Sequence, residues 1–235
     1  MVVIALYAFW FLNIEQLWIE FGQGKDQRWY PIHKYAMALG EEICMGIPFW
    51  YAFSGCDTVS QFGGRGKKTA WNTWRKLGNC TETFARLSSI SDILDNDLKT
   101  IEMFVVSMYD MSCPVWTVNE CRKYLFCKKG KSIDNCPPSL DALVQHIKRA
   151  MVQSHVWTNF MSLNEPKFDE ETWGFSKDEN GLLNPIWTKL PKASNACKEL
   201  KHCGCKKNCA TNGKCQCKEY SLPCNELCSC GGYCI

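Results

Sequence analysis

From Cys203 the chain runs C-x-C-x3-C-x5-C-x-C-x6-C-x3-C-x-C-x3-C, nine cysteines with three C-x-C pairs. No other stretch restricts the fold so tightly. The last 39 residues hold ten of the chain's 17 cysteines and few large apolar side chains. A segment of that size buries too little apolar surface to fold without cross-links. Disulfides need an oxidising compartment and an even count; nine is odd unless Cys197 joins, and so is the total. Zinc fits better. Each ion takes about four ligands, so three ions need about twelve contacts, which nine thiolates supply if six bind one ion and three bridge two. The expected ligands are Cys203, Cys205, Cys209, Cys215, Cys217, Cys224, Cys228, Cys230 and Cys234, with His202 a spare neighbour. Three Zn²⁺ and nine thiolates leave a net charge of about −3, which Lys206, Lys207, Lys214 and Lys218 can offset. Structural zinc supplies on the order of 10–16 kcal/mol per site in small fingers.

The rest of the 235 residues can build a true core, since 46% of the chain is hydrophobic and 13% aromatic. That composition excludes global disorder. The net charge of +3 sits wholly in the tail, whose six Lys and three Glu leave the body neutral. The opening MVVIALYAFWFL is too short to span a bilayer and lacks the basic start and small-residue cleavage site of a signal peptide. It reads as a buried Val- and Ile-rich strand, and no membrane partner is expected. Residues 17–22 and 28–33 read as strands around a Gly-Gln-Gly turn. Residues 32–53 read mainly as helix, with Gly40 and Pro48 as punctuation. Helical patterns fill residues 67–135, with Gly78 a stop and Thr81 a cap. Ser139 is placed to cap a helix running to about Met151. Residues 164–192 read as an extended segment pinned by Trp173 and Trp187. The expected divisions are 1–135, 136–196 and 197–235.

Between these lies SGCDTVSQFGGRGKKTAW, residues 54–71. A glycine-rich turn before a helix presents backbone N–H groups to a phosphate, and the helix dipole adds to the attraction. Gly64 and Gly66 would form that turn, with Arg65, Lys67 and Lys68 adding charge and Asp57 eight residues upstream of Arg65. The plain alternative is an ordinary turn beside a solvated face. His33, His146 and His155 are scattered, and Cys44, Cys80, Cys113, Cys121, Cys127 and Cys136 read as buried or free thiols. The irregular spacing of Cys113, Cys121, Cys127 and Cys136 does not define a second metal site.

The nine-cysteine pattern resembles the CXC module of tesmin-type proteins and, more loosely, the zinc-cysteine clusters preceding SET methyltransferase domains. The resemblance implies three zinc ions and a nuclear, DNA- or chromatin-associated role. Those proteins usually carry two repeats, and this chain has one. Their DNA-contacting tyrosine stands just before the second C-x-C pair, where this chain has Gly213-Lys214. Zinc binding carries over; sequence-specific reading of DNA does not.

Residues 1–80 resemble the C-terminal half of the PIN-like domain of flap-endonuclease and XPG-type nucleases, including the start of its helix–two-turn–helix. The resemblance implies an α/β remnant with an incomplete sheet, then a mainly helical region, then the small irregular zinc module. It makes Asp57 a metal ligand and Gly64, Gly66, Lys67 and Lys68 the grip on the duplex backbone, with Arg65 beside them. Two-metal hydrolysis places ions about 3.5–4 Å apart between several carboxylates. The family's Asp-x-Asp pair has no counterpart here, and Glu15, Glu20, Asp26, Glu41 and Glu42 do not match its other acids. A half-domain of this kind fits gene decay, a mobile-element origin or a mispredicted start. The expectation is a nucleic-acid-associated zinc protein, inactive alone as a nuclease. Mg²⁺ or Mn²⁺ enters only if the missing part completes the site. The alternatives are a structure-specific nuclease completed by an N-terminal part, and a zinc-stabilised protein-interaction or chromatin adaptor.

Overall fold

The computed structural model describes residues 2–89, 92–162, 169, 172–190, 203–205, 209, 215–219, 223–224 and 228–230. The chain forms two compact units, Met1–Lys189 and Leu190–Ile235. The first is mainly helical: α1 (Val2–Phe11), the antiparallel pair β1 (Trp18–Phe21) and β2 (Arg28–Pro31), α2 (Ile32–Leu39), α3 (Glu41–Phe53), α4 (Lys67–Leu77), α5 (Thr81–Leu87), α6 (Asp95–Tyr109), α7 (Val118–Lys129), α8 (Leu140–Thr158), and the hairpin β3 (Phe175–Lys177) with β4 (Leu183–Pro185). Its sheets have two strands each.

The N-terminal segment corrects the sequence reading. Val2–Phe11 is a helix, not a buried strand. A run apolar on every side has no period to separate the two, and a strand needs neighbours for its N–H and C=O groups. A helix satisfies them within itself, which lets α1 lie against α2, α3 and α8 with Leu6 and Phe9 buried. The two strands at 18–21 and 28–31 do form, pairing Trp18 with Pro31 and Phe21 with Arg28.

Helix α3 is the centre of the unit and packs against α1, α5 and α8. Gly46 lets α5 approach, since a Cβ there would stand 3.1 Å from Phe84 Cβ. Around this crossing Phe49, Phe53, Trp74, Phe84 and Phe104 form the buried aromatic core, with Phe49 to Phe84 at 5.7 Å and Trp74 to Phe84 at 4.9 Å between ring centroids. Gly40 ends α2 as expected, at φ +85°. Pro48 does not end α3. Proline withholds the N–H that would bond Cys44, and the neighbouring Phe49 N–H finds Ser88 Oγ at 3.2 Å. Ser88 Oγ in turn donates to Phe84 O at 3.0 Å, and Ser154 Oγ donates to Ser88 O at 3.1 Å.

Gly78 stops α4 at φ +67°. The cap of α5 is Cys80 rather than Thr81, whose hydroxyl instead links Trp74 Nε1 and Gly78 O, each at 3.0 Å. Ser139 caps α8 through Ala142 N, but the helix runs on to Thr158, with Ser154 buried and Trp157 packed against the core. Trp173 packs against the core, whereas Trp187 is exposed and lies over Arg149. No helix among the described residues is long and apolar enough to cross a membrane.

Candidate metal centre

In the second unit one short helix is described, α9 (Gln216–Glu219). What gathers there is sulfur. Cys203, Cys209, Cys215, Cys217 and Cys228 are buried in one cluster, with Cys205, Cys224 and Cys230 packed against it. Two four-thiol sets have all their sulfurs within 4.8 Å of one another: Cys203, Cys209, Cys215 and Cys224, and Cys203, Cys224, Cys228 and Cys230. Sγ separations are 3.6 Å for Cys203–Cys209, 3.8 Å for Cys203–Cys224, 3.9 Å for Cys203–Cys230 and 3.7 Å for Cys224–Cys209. A disulfide requires about 2.05 Å. Four sulfurs about 2.3 Å from a tetrahedral zinc stand about 3.8 Å apart. These separations match the edges of such a tetrahedron, and each set could hold a metal ion.

The sets share Cys203 and Cys224, so the two ions would be bridged. Cys217 lies 3.6 Å from Cys228 and begins a further edge. Local backbone supports the ligands: Ser229 N–H donates to Cys203 O at 2.9 Å, and Cys203 N–H donates to Cys228 Sγ at 3.4 Å. The Lys218 N–H in α9 draws the Cys215 thiol down to about 6, whereas burial raises the Cys217 and Cys224 thiols. Lys218 itself is exposed. Cys234, Cys197, His202, Lys206, Lys207 and Lys214 lie outside the described residues.

The turn ahead of α4 is built differently from a plain basic grip. Phe62 O accepts from Arg65 N at 3.0 Å, closing a tight turn with Gly64 at φ +64°. Gly63 is required by a close approach, since a Cβ there would stand 2.8 Å from Asp134 O. Gly66 has no such need: its φ is −85°, and an added Cβ would meet nothing within 4 Å. Lys67 turns inward. Its Nζ donates to Tyr51 O at 2.8 Å, to Ser54 Oγ at 3.2 Å and to Gly55 O, and it lies 3.6 Å from the Tyr51 ring centroid. It thus closes the C-terminal end of α3, where the helix dipole is negative. Arg65 donates to Gly64 O and Tyr109 O and stacks on the Tyr109 ring. Lys68 faces solvent.

Asp57 is exposed on a cleft of about 710 Å³ walled by Val2, Ile4, Ile19, Phe21 and Trp157. It is the one carboxylate among the described residues lining that cleft. The metal-ligand groupings of three or more found among the described residues are the two thiol sets above. Cys113, Cys121 and Cys136 are buried near one another, Cys127 is exposed, and the four do not come within ligand distance as a set.

Sequence reading gave His146 and Arg149, three residues apart on α8, no role, and nothing in the spacing joins them to Arg122 on α7. His146 Nε2–H donates to Phe53 O at 2.8 Å, which leaves Nδ1 to accept from Ser60 Oγ at 3.2 Å. Burial holds its pKa down at about 4, so the ring is neutral. Comparison with protein-family models, curated proteins and solved structures finds no match to this chain.

Proposed function

We propose that the chain is a nucleic-acid-associated zinc protein. Zinc thiolates fold its last residues, and the turn at residues 63–68 holds a phosphate backbone without cutting it. The observation that carries this reading is the convergence of eight cysteines into one cluster, with sulfur separations of 3.6–3.9 Å. Three zinc ions account for the nine thiolates, with Cys205, Cys217 and Cys234 completing what the two shared sets begin. The partner is DNA with weak sequence preference, in the nucleus, because phosphate contacts position a protein without specifying a sequence. Gly66 supports the phosphate side. The fold does not require a glycine there, whereas a bare Cα lets a phosphate reach the first N–H groups of α4 beside the exposed Lys68.

Native mass spectrometry of the purified chain should show three zinc ions. One ion or none, with disulfides among Cys203–Cys234, would sink the cluster. Duplex DNA binding followed across a salt titration tests the turn. Lys68→Ala should lower the salt slope by about 0.9 and Gly66→Ala should weaken all sequences alike. Parental binding by both variants at every salt concentration would reject the grip and leave the zinc module as a protein-interaction unit.

A further inference from the structure

A second cleft, of about 250 Å³, opens in the helical unit between α7 and α8, beside the Gly63 turn. It is lined by Arg122, Arg149, Tyr109, Ser60 and His146, with Trp187 and Asp134 also on its wall. Arg149 is only 3% exposed. Its Nη1 donates to Gly174 O at 3.3 Å and to Ile186 O at 2.5 Å, tying the β3–β4 hairpin to α8. Those bonds use one of its three nitrogens. Arg122 Nη1 donates to Pro137 O. Neither guanidinium pairs with a carboxylate among the described residues. Among the described residues lining the cleft, the one carboxylate is Asp134. Asp134 is exposed to solvent.

A guanidinium buried without a counter-ion is costly, and carbonyl partners offset only part of that cost. Paired arginines with free N–H forks fit the oxygens of a phosphate group. The cleft is smaller than the usual pocket for a whole drug-sized ligand, so it suits an anionic group with a short stub. At its wall the Trp187 ring is 60% exposed, with Arg149 at 5.3 Å from its centroid. An indole held this way offers a face on which a base can stack.

We propose that this cleft binds the 5′-phosphate of a nucleotide, with Arg149 and Arg122 holding the phosphate oxygens and Trp187 stacking the base. The free mononucleotide and a phosphorylated strand end present the same group, and the site is independent of the zinc cluster and of Lys68. Tryptophan fluorescence and calorimetry on the zinc-loaded full chain test it, with inorganic phosphate, adenosine 5′-monophosphate, adenosine, and a single-stranded octanucleotide bearing either a 5′-phosphate or a 5′-hydroxyl. The 5′-phosphate should tighten octanucleotide binding at least tenfold. Arg122→Gln should abolish that gain, Asp134→Asn should enlarge it several-fold, and Trp187→Ala should reduce nucleotide affinity to that of inorganic phosphate. Equal affinity of mononucleotide and strand end supports the free nucleotide as the ligand; tighter strand binding supports the end. Equal binding of the phosphorylated and hydroxyl strands would overturn the proposal, as would a preference that Arg122→Gln and Asp134→Asn leave unchanged. Arg149→Met is a secondary variant, because it also releases the hairpin.

Discussion

Lys67 and Lys68 are neighbours in sequence and opposites in space. Lys67 donates to carbonyls at the end of α3, while Lys68 reaches water. Lys67→Met keeps the stem and removes the ammonium, leaving the Tyr51 and Gly55 carbonyls without that donor. It should lower stability by about 1–3 kcal/mol in urea unfolding, whereas Lys68→Ala should change it by less than about 0.5 kcal/mol. His146 makes a second residue-scale prediction. Its folded pKa of about 4 lies below the ordinary 6.5, with burial the main cause and the Arg149 charge adding to it. The unfolded chain therefore binds the extra proton between those values. Its contribution is fully present above pH 6.5 and is lost as pH falls to 4, in total about 3 kcal/mol. Urea midpoints measured from pH 7 to 4 should show that slope, and His146→Gln should flatten it. The KK pair was legible as charge, but which lysine turned inward was not. That depends on where the end of α3 lies, and the local pattern is silent on it.

At the scale of elements, Gly40, Gly78 and Ser139 mark helix ends as their chemistry requires, and a reader of the sequence finds them. One reading fails for a tertiary reason. The apolar run at 2–11 carries no period, so only its packing decides helix over strand. Pro48 punctuates the helical stretch without ending α3, and Ser88, forty residues on, supplies an acceptor for Phe49 N–H. Ser88→Ala removes that acceptor in the core and should cost about 1–3 kcal/mol, visible as a lower urea midpoint with an unchanged m-value. A midpoint within experimental error of the parent's would show that α3 tolerates Pro48 without help. The thiol cluster was the most legible part of the candidate site, because C-x-C spacing itself forces sulfurs together. The arginine cleft was the least legible, since α7, α8 and the segment after β4 meet only in the folded unit.

The whole molecule divides by what fills its interiors. The helical unit buries Phe49, Phe53, Phe84, Phe104 and Trp74, and the tail buries cysteines. Chelation should therefore abolish amide protection after Leu190 in hydrogen exchange and leave most of the far-UV helical signal intact. Loss of the α3 amides at the same chelator concentration would contradict that division. The sharing of Cys203 and Cys224 between the two four-thiol sets has a further consequence. Each of those two sulfurs would bond both ions. Damage at Cys215 or Cys230 opens one polyhedron, whereas a single oxidised or alkylated sulfur at Cys203 or Cys224 opens both. Of the six thiols in the two sets, those two are the points at which one modification would undo both.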